Sequence, residues 1–292
     1  MPTHRASFAR TDDGLHLYYR SVGSGPPMVC CNGVGVSTFF FKYIVEHFSK
    51  THQVVVWDYR GHGRSDTPRD VDTADLTIAR NSKDLQTVIE AAGIRHPPVL
   101  LGHSMGCQVI LDYAVTYDKV AALVPMFGTF ARPLDTFMDN PHSKRVFSIV
   151  HRLAKMGGRS GNRMLLPLYA NPVAYHVGRL TGMVDRHYAE RVDIDKYMEH
   201  LVHMDPSVFF RMVSLMADHD LTEDLPSLDI PTLIVAGERD LFTPLHRSYK
   251  MQELIRASEI LVLPEASHAA IVEYPDTINR RLERFFAARL PA

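Results

Sequence analysis

Three residue types that together perform nucleophilic catalysis, a serine, an acid and a histidine, stand in this chain after apolar runs. Ser104 is the centre of Gly102-His103-Ser104-Met105-Gly106, which follows the apolar run Val99-Leu100-Leu101 and precedes a helical pattern. Such a serine, flanked two positions away by glycines, can adopt the strained strand-to-helix turn that lifts its hydroxyl out of the strand end. The spacing predicts that Ser104 is a nucleophile.

A serine hydroxyl is a weak nucleophile and needs a base, which in turn needs an orienting acid. His268 follows the last apolar strand pattern, and Asp240 follows the one before it, so both stand in loops after strands. The chain has 16 histidines, and position rather than residue type distinguishes His268. We predict His268 as general base and Asp240 as the acid. Three alternative acids remain open: Glu238, Asp135 and Asp220.

The elements that must position these residues alternate between strands and helices. Apolar and β-branched runs predict eight strands: Ala6–Arg10, Leu15–Arg20, Met28–Cys31, Gln53–Asp58, Pro98–Gly102, Val120–Met126, Thr232–Ala236 and Glu259–Leu263. The first two flank Asp12-Asp13-Gly14 and are predicted to form a hairpin. Helical periodicity predicts helices near Phe41–Phe48, over Ala79–Ala92 and Met105–Tyr117, and from Pro275 onward. This alternation favours an α/β fold with a mostly parallel sheet covered by helices on both faces.

The pattern changes after Gly128. From Thr129 to Asp220 the chain has helical periodicity interrupted by prolines and glycines, and nine of its 13 methionines lie between Met126 and Met216. We therefore predict a core built from residues 1–128 and 221–292, with a helical cap, residues 129–220, inserted between its two parts.

With these residues in view, the chain resembles the α/β-hydrolase superfamily over nearly its whole length. The resemblance rests on the Gly102–Gly106 motif, on the chain order serine, aspartate, histidine, and on Asp58-Tyr-Arg-Gly-His-Gly-Arg-Ser-Asp66, which is similar to the family's D-x-R-G-x-G-x-S turn. It implies a mostly parallel eight-stranded sheet flanked by helices. It also implies that Arg60 and the two glycines shape a tight loop beside the site.

The resemblance further implies an oxyanion hole made of two backbone amides, those of Met105 and Val34. The family usually has His-Gly after its third strand, whereas this chain has Cys31-Asn32-Gly33-Val34-Gly35. Backbone donors survive this replacement, but it leaves open how the loop is anchored. Removing one such donor costs about 3–4 kcal/mol of transition-state stabilisation.

A serine nucleophile argues against haloalkane dehalogenases and most epoxide hydrolases of this superfamily, which have an aspartate at this turn. The constellation suits acyl transfer through an acyl-enzyme. We predict a carboxylesterase-like hydrolase of a small to medium hydrophobic ester, with no metal and no organic cofactor. A lactonase, a carbon–carbon bond hydrolase, a cofactor-free perhydrolase and a non-catalytic ligand-binding receptor remain alternatives.

Apolar and aromatic residues near the serine and in the cap predict a hydrophobic pocket. Five residues are predicted to contact the substrate: Phe40, Phe41, His103, Phe130 and Phe137. The alternative is that such residues pack the cap onto the core. Arg132 and Arg163 remain open as partners for a substrate carboxylate.

Bulk composition limits the partners. The 292 residues are 46% hydrophobic and 22% charged with a formal net charge of -1, which gives no electrostatic reason to expect nucleic acid or an anionic membrane surface. The three cysteines, Cys30, Cys31 and Cys107, lie in apolar runs and are predicted to be free thiols. Without an apolar leader or spanning segment, we expect a soluble cytoplasmic protein that takes a small-molecule ester, and a homodimer remains open.

Overall fold

A computed structural model describes residues 4–136, the single positions 142, 143, 145, 147, 149 and 152, and residues 191–290. Its strands are β1 (His4–Arg10), β2 (His16–Val22), β3 (Pro27–Cys31), β4 (Gln53–Trp57), β5 (Val99–His103), β6 (Ala122–Met126), β7 (Thr232–Gly237) and β8 (Ser258–Leu263). They form one sheet in the order β1-β2-β4-β3-β5-β6-β7-β8. The β1–β2 and β2–β4 pairs are antiparallel and the other pairs are parallel. The predicted mostly parallel eight-stranded sheet is confirmed.

Helices lie on both faces of the sheet. Their bounds are α1 (Lys42–Phe48), α2 (Ile78–Ala91), α3 (Met105–Tyr117), α4 (Pro133–Thr136), α5 (Arg191–His203), α6 (Pro206–Met216), α7 (Leu245–Leu254), α8 (Ala270–Glu273) and α9 (Pro275–Arg289). Short 3₁₀ turns cover Thr38–Phe41 and Leu225–Ser227.

Two hydrophobic cores result from the alternation of side chains along each strand. Val29, Val55 and Leu100 face a core completed by α2, α3 and α7. Their strand neighbours Cys30 and Leu101 face the opposite core, which α1 and α9 complete. Because successive strand residues point to opposite faces, strands buried on both sides must be apolar at every position. This requirement explains the unbroken apolar runs in the sequence.

The parallel strands bring their carboxyl ends to one edge of the sheet. The loops after β3, β5, β7 and β8 all begin at this edge, and they contain Gly33, Ser104, Asp240 and His268, respectively. Residues separated by up to 235 positions in the chain therefore share one edge, which is where ligands bind in open α/β sheets.

The predicted cap range, residues 129–220, contains α4, α5 and α6 in its described part. The two ends of this range lie side by side, because Ala131 and Asp220 form an isolated antiparallel bridge. Arg132 Nε lies 2.9 Å from Asp220 Oδ2 at the same place. Residues 137–141 and 153–190 lie outside the described residues, and the division into core and cap stays a prediction.

In the described ranges, none of the helices has the length and apolarity needed to cross a bilayer. Cys30, Cys31 and Cys107 are buried free thiols. Burial raises the pKa of Cys31 to about 12 and that of Cys30 well above its usual value, so neither forms a thiolate near neutral pH.

Candidate active site

Ser104 stands at the turn between β5 and α3 in a strained conformation, with φ 56° and ψ −119°. Close backbone packing around this turn requires glycines. A Cβ at Gly102 would lie 2.4 Å from the Gly106 carbonyl oxygen, and one at Gly106 would lie 2.1 Å from the Cys31 carbonyl oxygen. Both distances are too short for a side chain. The glycines flanking Ser104 therefore let α3 begin directly against β3, and they place the serine at the strand end.

His268 contacts Asp240. Its Nδ1 lies 2.9 Å from Oδ2 and 3.1 Å from Oδ1 of the carboxylate. The carboxylate is buried and also accepts hydrogen bonds from the Phe242 and Thr243 amides and the Thr243 hydroxyl. Burial alone would raise the pKa of Asp240, but the charge of His268 and these hydrogen bonds outweigh it and lower the pKa. Asp240 is thus a carboxylate that can fix the orientation of the imidazole.

The alternative acids lie elsewhere. Glu238 and Asp135 are exposed. Asp220 pairs with Arg132 and accepts hydrogen bonds from the amide and hydroxyl of Thr222. Of the four acids considered from the sequence, Asp240 is the one that meets His268.

His268 and the serine turn meet through His103. The rings of His103 and His268 have centroids 5.0 Å apart, and His103 Nε2 lies 3.0 Å from the His268 carbonyl oxygen. Among the described residues, no hydrogen bond joins Ser104 Oγ to the His268 ring. Catalytic hydrogen bonds are often long without substrate and tighten when it binds.

The backbone that follows β3 lies against Ser104. A Cβ at Gly33 would lie 3.0 Å from Ser104 Cβ and 3.5 Å from Ser104 Oγ. The segment 32–35 therefore runs beside the hydroxyl, and the absence of a side chain at Gly33 keeps its surroundings open. The loop that contains Val34, the predicted oxyanion donor, therefore passes beside Ser104.

Asn32 anchors this loop, at the position where the family usually has a histidine. Its Nδ2 donates to the Trp57 carbonyl at 3.1 Å, and the Tyr59 hydroxyl donates to the Asn32 carbonyl at 2.9 Å. On the other side of the loop, the Gly35 amide donates to His62 Nε2 at 3.0 Å. Residues at and after the end of β4 thus hold both ends of the loop.

His62 must be neutral and protonated on Nδ1 to accept this bond. Its Nδ1 lies 3.2 Å from the Arg60 carbonyl oxygen, which fits a donor there. Burial, together with the nearby His200, lowers the pKa of His62 to about 3. His62 therefore remains an acceptor at neutral pH.

The Asp58–Asp66 segment has a supporting role. Asp58 accepts hydrogen bonds from the Ser37 hydroxyl at 2.6 Å and from the Thr38 and Arg64 amides, each at 3.0 Å. The Arg60 guanidinium is buried and forms a bidentate pair with buried Asp84, at 2.7 and 2.8 Å. These contacts connect the loop after β4 to the loop after β3 and to α2.

Comparison with known proteins identifies the family. A family model described as alpha/beta hydrolase fold matches residues 26–275. The chain belongs to the α/β hydrolase family. A relative from Pseudomonas savastanoi pv. phaseolicola is named carbamate hydrolase RutD, an activity that its name marks as provisional. It is 24% identical over 264 residues, which cover 90% of this chain and 95% of that protein.

Solved α/β hydrolases share the architecture. An esterase from Exiguobacterium antarcticum superposes with a TM-score of 0.79 at 21% identity, covering 96% of this chain and 99% of that one. Est816, described as an N-acyl homoserine lactone degrading enzyme, gives a TM-score of 0.75 at 22% identity, with 95% and 99% covered. At these identities the likeness shows the fold alone.

The residues predicted to contact substrate occupy different places in this α/β hydrolase. Phe40 is buried and its ring lies 4.8 Å from that of His103. Phe41 is fully buried in the core beneath α1, and Phe130 is buried under the Arg247 guanidinium at 4.6 Å. His103 is buried with its Nε2 on the His268 loop. Phe137 and Arg163 lie outside the described residues.

Sequence reasoning missed Phe242 and Leu201 near the loops of the site, and it included Phe209 only as one of the aromatic residues of the predicted cap. Phe242 stacks on the His268 ring, with centroids 4.8 Å apart and planes at 27°. A Cβ at Gly35 would lie 3.0 Å from Leu201 of α5 and 3.0 Å from Phe209 of α6. Phe242, two positions after Asp240, could have been found from its spacing, whereas the contacts of α5 and α6 with the loop carry no sequence signal.

An apolar wall adjoins the predicted oxyanion donor Val34. Its members come from α4, α6 and the intervening chain and are Leu134, Phe147, Phe209, Val213, Met216 and Ala217. Within the described residues, no group of three or more histidine, cysteine, aspartate or glutamate side chains is arranged to hold a metal ion.

Proposed function

We propose that this α/β hydrolase cleaves carboxylic esters through an acyl-enzyme, with Ser104 as nucleophile, His268 as general base and Asp240 as its orienting acid. The observation that carries the proposal is the 2.9 Å contact between His268 Nδ1 and Asp240, made beside the strained serine turn. This contact holds the proton on Nδ1 and leaves Nε2 free to take a proton from a hydroxyl.

The reaction follows from these roles. His268 Nε2 takes the Ser104 proton as Oγ attacks the ester carbonyl, and the carbonyl π electrons move onto oxygen. The resulting oxyanion accepts hydrogen bonds from the Val34 and Met105 amides. Collapse expels the alcohol, which receives the proton from His268. Water, deprotonated by His268, then attacks the acyl carbonyl and forms a second oxyanion. Its collapse breaks the acyl bond to Ser104 Oγ, releases the acid, and returns the proton from His268 to Oγ.

The apolar wall beside Val34 supports a hydrophobic acyl or alcohol group of small to medium size. Its side chains are aliphatic or aromatic, and several are only partly buried. Binding such a group in apolar surroundings contributes about 25 cal/mol for each Å² of apolar surface removed from water.

Carbamate hydrolysis is a second candidate, favoured by the name of the Pseudomonas relative and by its match over 90% of this chain. A carbamate carbonyl passes through the same tetrahedral oxyanion and uses the same groups. It differs in its resonance-stabilised carbonyl and in the N–H that a site must accommodate.

One substrate panel separates these functions. It comprises p-nitrophenyl esters from acetyl to decanoyl, a p-nitrophenyl carbamate, and an aliphatic lactone, each measured as kcat/KM with the parent protein and Ser104→Ala. We expect the highest kcat/KM with a short or medium ester and none with Ser104→Ala. A higher kcat/KM for the carbamate or the lactone than for every ester would reject the ester assignment.

A further inference from the structure

Buried side chains hold the backbone on both sides of His268. The Ser267 amide donates to Glu273 Oε2 at 3.3 Å, and the Ala269 amide donates to Ser267 Oγ at 3.1 Å. Between them, the His268 carbonyl accepts from His103 Nε2 at 3.0 Å. Three consecutive residues thus each have a peptide group bound to a side chain.

Glu273 is the charged member of this arrangement. It lies on α8, its residue is 6% exposed, and its Oε1 accepts the Ser267 hydroxyl proton at 2.6 Å. A buried carboxylate is costly unless it is hydrogen-bonded, and the contact with Ser267 contributes to offsetting its desolvation. Ser267, itself buried, connects this charge to the next residue, because its hydroxyl donates to Glu273 and accepts from the Ala269 amide.

The chemistry of the pair needs a carboxylate. Both Ser267 groups that face Glu273 are donors, an N–H and an O–H, and a carboxylate accepts through both oxygens. A glutamine has one acceptor oxygen and an NH2 group, so it cannot accept from both. Either the Ser267 amide would face an N–H, or the Ser267 hydroxyl would lose its buried acceptor, and in both cases the loop would be held less firmly and could shift.

Such a shift would be transmitted to the imidazole. With the backbone fixed, the His268 ring is adjusted by two side-chain torsions, which the Asp240 carboxylate and the stacked Phe242 ring restrain. A loosened backbone would move Nε2 relative to Ser104 while leaving the substrate pocket in place. Misplacement of a reacting group by about 1 Å can cost roughly 100-fold in rate.

We propose that Glu273 is a positioning residue for the general base, acting through Ser267 to hold the backbone of His268. The inference rests on the proposed function for its kinetic consequence. Glu273 touches neither the reacting atoms nor the substrate in this account, so its loss lowers kcat rather than binding.

Kinetics of Glu273→Gln and Ser267→Ala test the proposal. We expect kcat with p-nitrophenyl acetate to fall by about 10- to 100-fold in both, with KM changed less than about twofold. Ser267→Thr keeps the hydroxyl, so we expect its kcat to lie within about threefold of the parent value. The matched control is Glu265→Gln in the same loop, because Glu265 is an exposed glutamate paired with Arg239, and it leaves kcat unchanged.

A spectroscopic readout tests positioning without turnover. The proton on His268 Nδ1, bonded to Asp240, should give a low-field NMR resonance that is absent in Asp240→Asn. We expect this resonance to broaden or shift in Glu273→Gln and Ser267→Ala and to persist in Glu265→Gln.

Unchanged kcat and an unchanged resonance in folded Glu273→Gln and Ser267→Ala would overturn the positioning role. That result would leave the proposed function intact, provided the parent hydrolyses esters and Ser104→Ala does not. If the parent hydrolysed no substrate of the panel, the proposed function would fail, and the resonance alone would decide the role of Glu273.

Discussion

His103 donates a hydrogen bond from Nε2 to the backbone carbonyl of His268 across 3.0 Å, although the two lie 165 positions apart in the chain. Burial lowers the pKa of His103 to about 3, with a further contribution from His268, so the imidazole is neutral and keeps its Nε2 proton at working pH. The residue beside Ser104 therefore binds the loop that contains His268 directly.

Replacing Asp240 by Asn tests the acid assignment. The amide cannot hold a positive imidazolium, and it favours the wrong histidine tautomer, so we expect kcat to fall by about 10⁴-fold. The measurement is kcat with p-nitrophenyl acetate, and Glu238→Gln is the control, because this exposed acid is two residues away. An equal loss in Glu238→Gln or Asp135→Asn would assign the acid elsewhere.

Gly33→Ala tests whether the loop after β3 supplies an oxyanion donor. The added Cβ would lie 3.0 Å from Ser104 Cβ, so either the serine or the loop must shift, and we expect kcat to fall by about 10- to 100-fold.

The control is Gly93→Ala, where φ is +72° and no atom lies within 4 Å of an added Cβ. That variant should lose about 1 kcal/mol in free energy of unfolding through backbone strain and keep its kcat. Unchanged kcat in Gly33→Ala would remove this loop from the oxyanion hole.

The strand ends predicted from the sequence lie within about two residues of the observed ones. The predicted run Gln53–Asp58 corresponds to β4 (Gln53–Trp57), and Glu259–Leu263 corresponds to β8 (Ser258–Leu263). The prediction worked because burial on both faces leaves uninterrupted apolar runs, which glycines, prolines and polar loops delimit. The order of the strands in the sheet does not follow from these runs, because it depends on contacts between segments that are distant in the chain.

The candidate site was partly predictable. Ser104 and His268 follow from a local motif and from chain order. The sequence favoured Asp240 as the acid but left three others open, and the side-chain positions show that Asp240 is the one that meets His268. Glu273 could not be found, because a glutamate beside a helix start is ordinarily exposed, and its burial depends on how the preceding loop turns back. Aromatic content likewise could not separate Phe41, which lies in the core, from residues beside the site.

His62→Gln tests the neutral histidine that anchors Gly35. The folded pKa is about 3 and an unfolded histidine titrates near 6.5, so between these values the unfolded chain binds a proton that the folded chain does not. The free energy of unfolding therefore falls as the pH decreases through this window, by up to about 1.4 kcal/mol per pH unit for this histidine.

Glutamine keeps an acceptor for the Gly35 amide but does not titrate. Urea unfolding between pH 6 and pH 4 should give a shallower pH dependence in His62→Gln than in the parent. His103, whose pKa is also lowered by burial, is present in both proteins, so it contributes equally to the pH dependence of both. Parallel curves would contradict a buried neutral His62.

Asp84→Asn tests the role of the Arg60 pair. Both side chains are buried, and removing the charge of one leaves the other inadequately paired, so we expect a loss of about 3 kcal/mol in free energy of unfolding. The turnover number should stay unchanged, because neither residue contacts the serine, the histidine or the predicted oxyanion donors. Glu253→Gln, in an exposed ion pair with Lys250, is the control and should have little effect on stability. A loss of activity without loss of stability in Asp84→Asn would contradict a structural role.

The most direct test of the central claim is covalent labelling with a fluorophosphonate, followed by mass spectrometry of the digested protein. A serine hydroxyl activated by His268 and Asp240 predicts one adduct, on Ser104, with labelling abolished in Ser104→Ala and slowed in Asp240→Asn. An adduct on another residue, or labelling that persists in Ser104→Ala, would contradict the account.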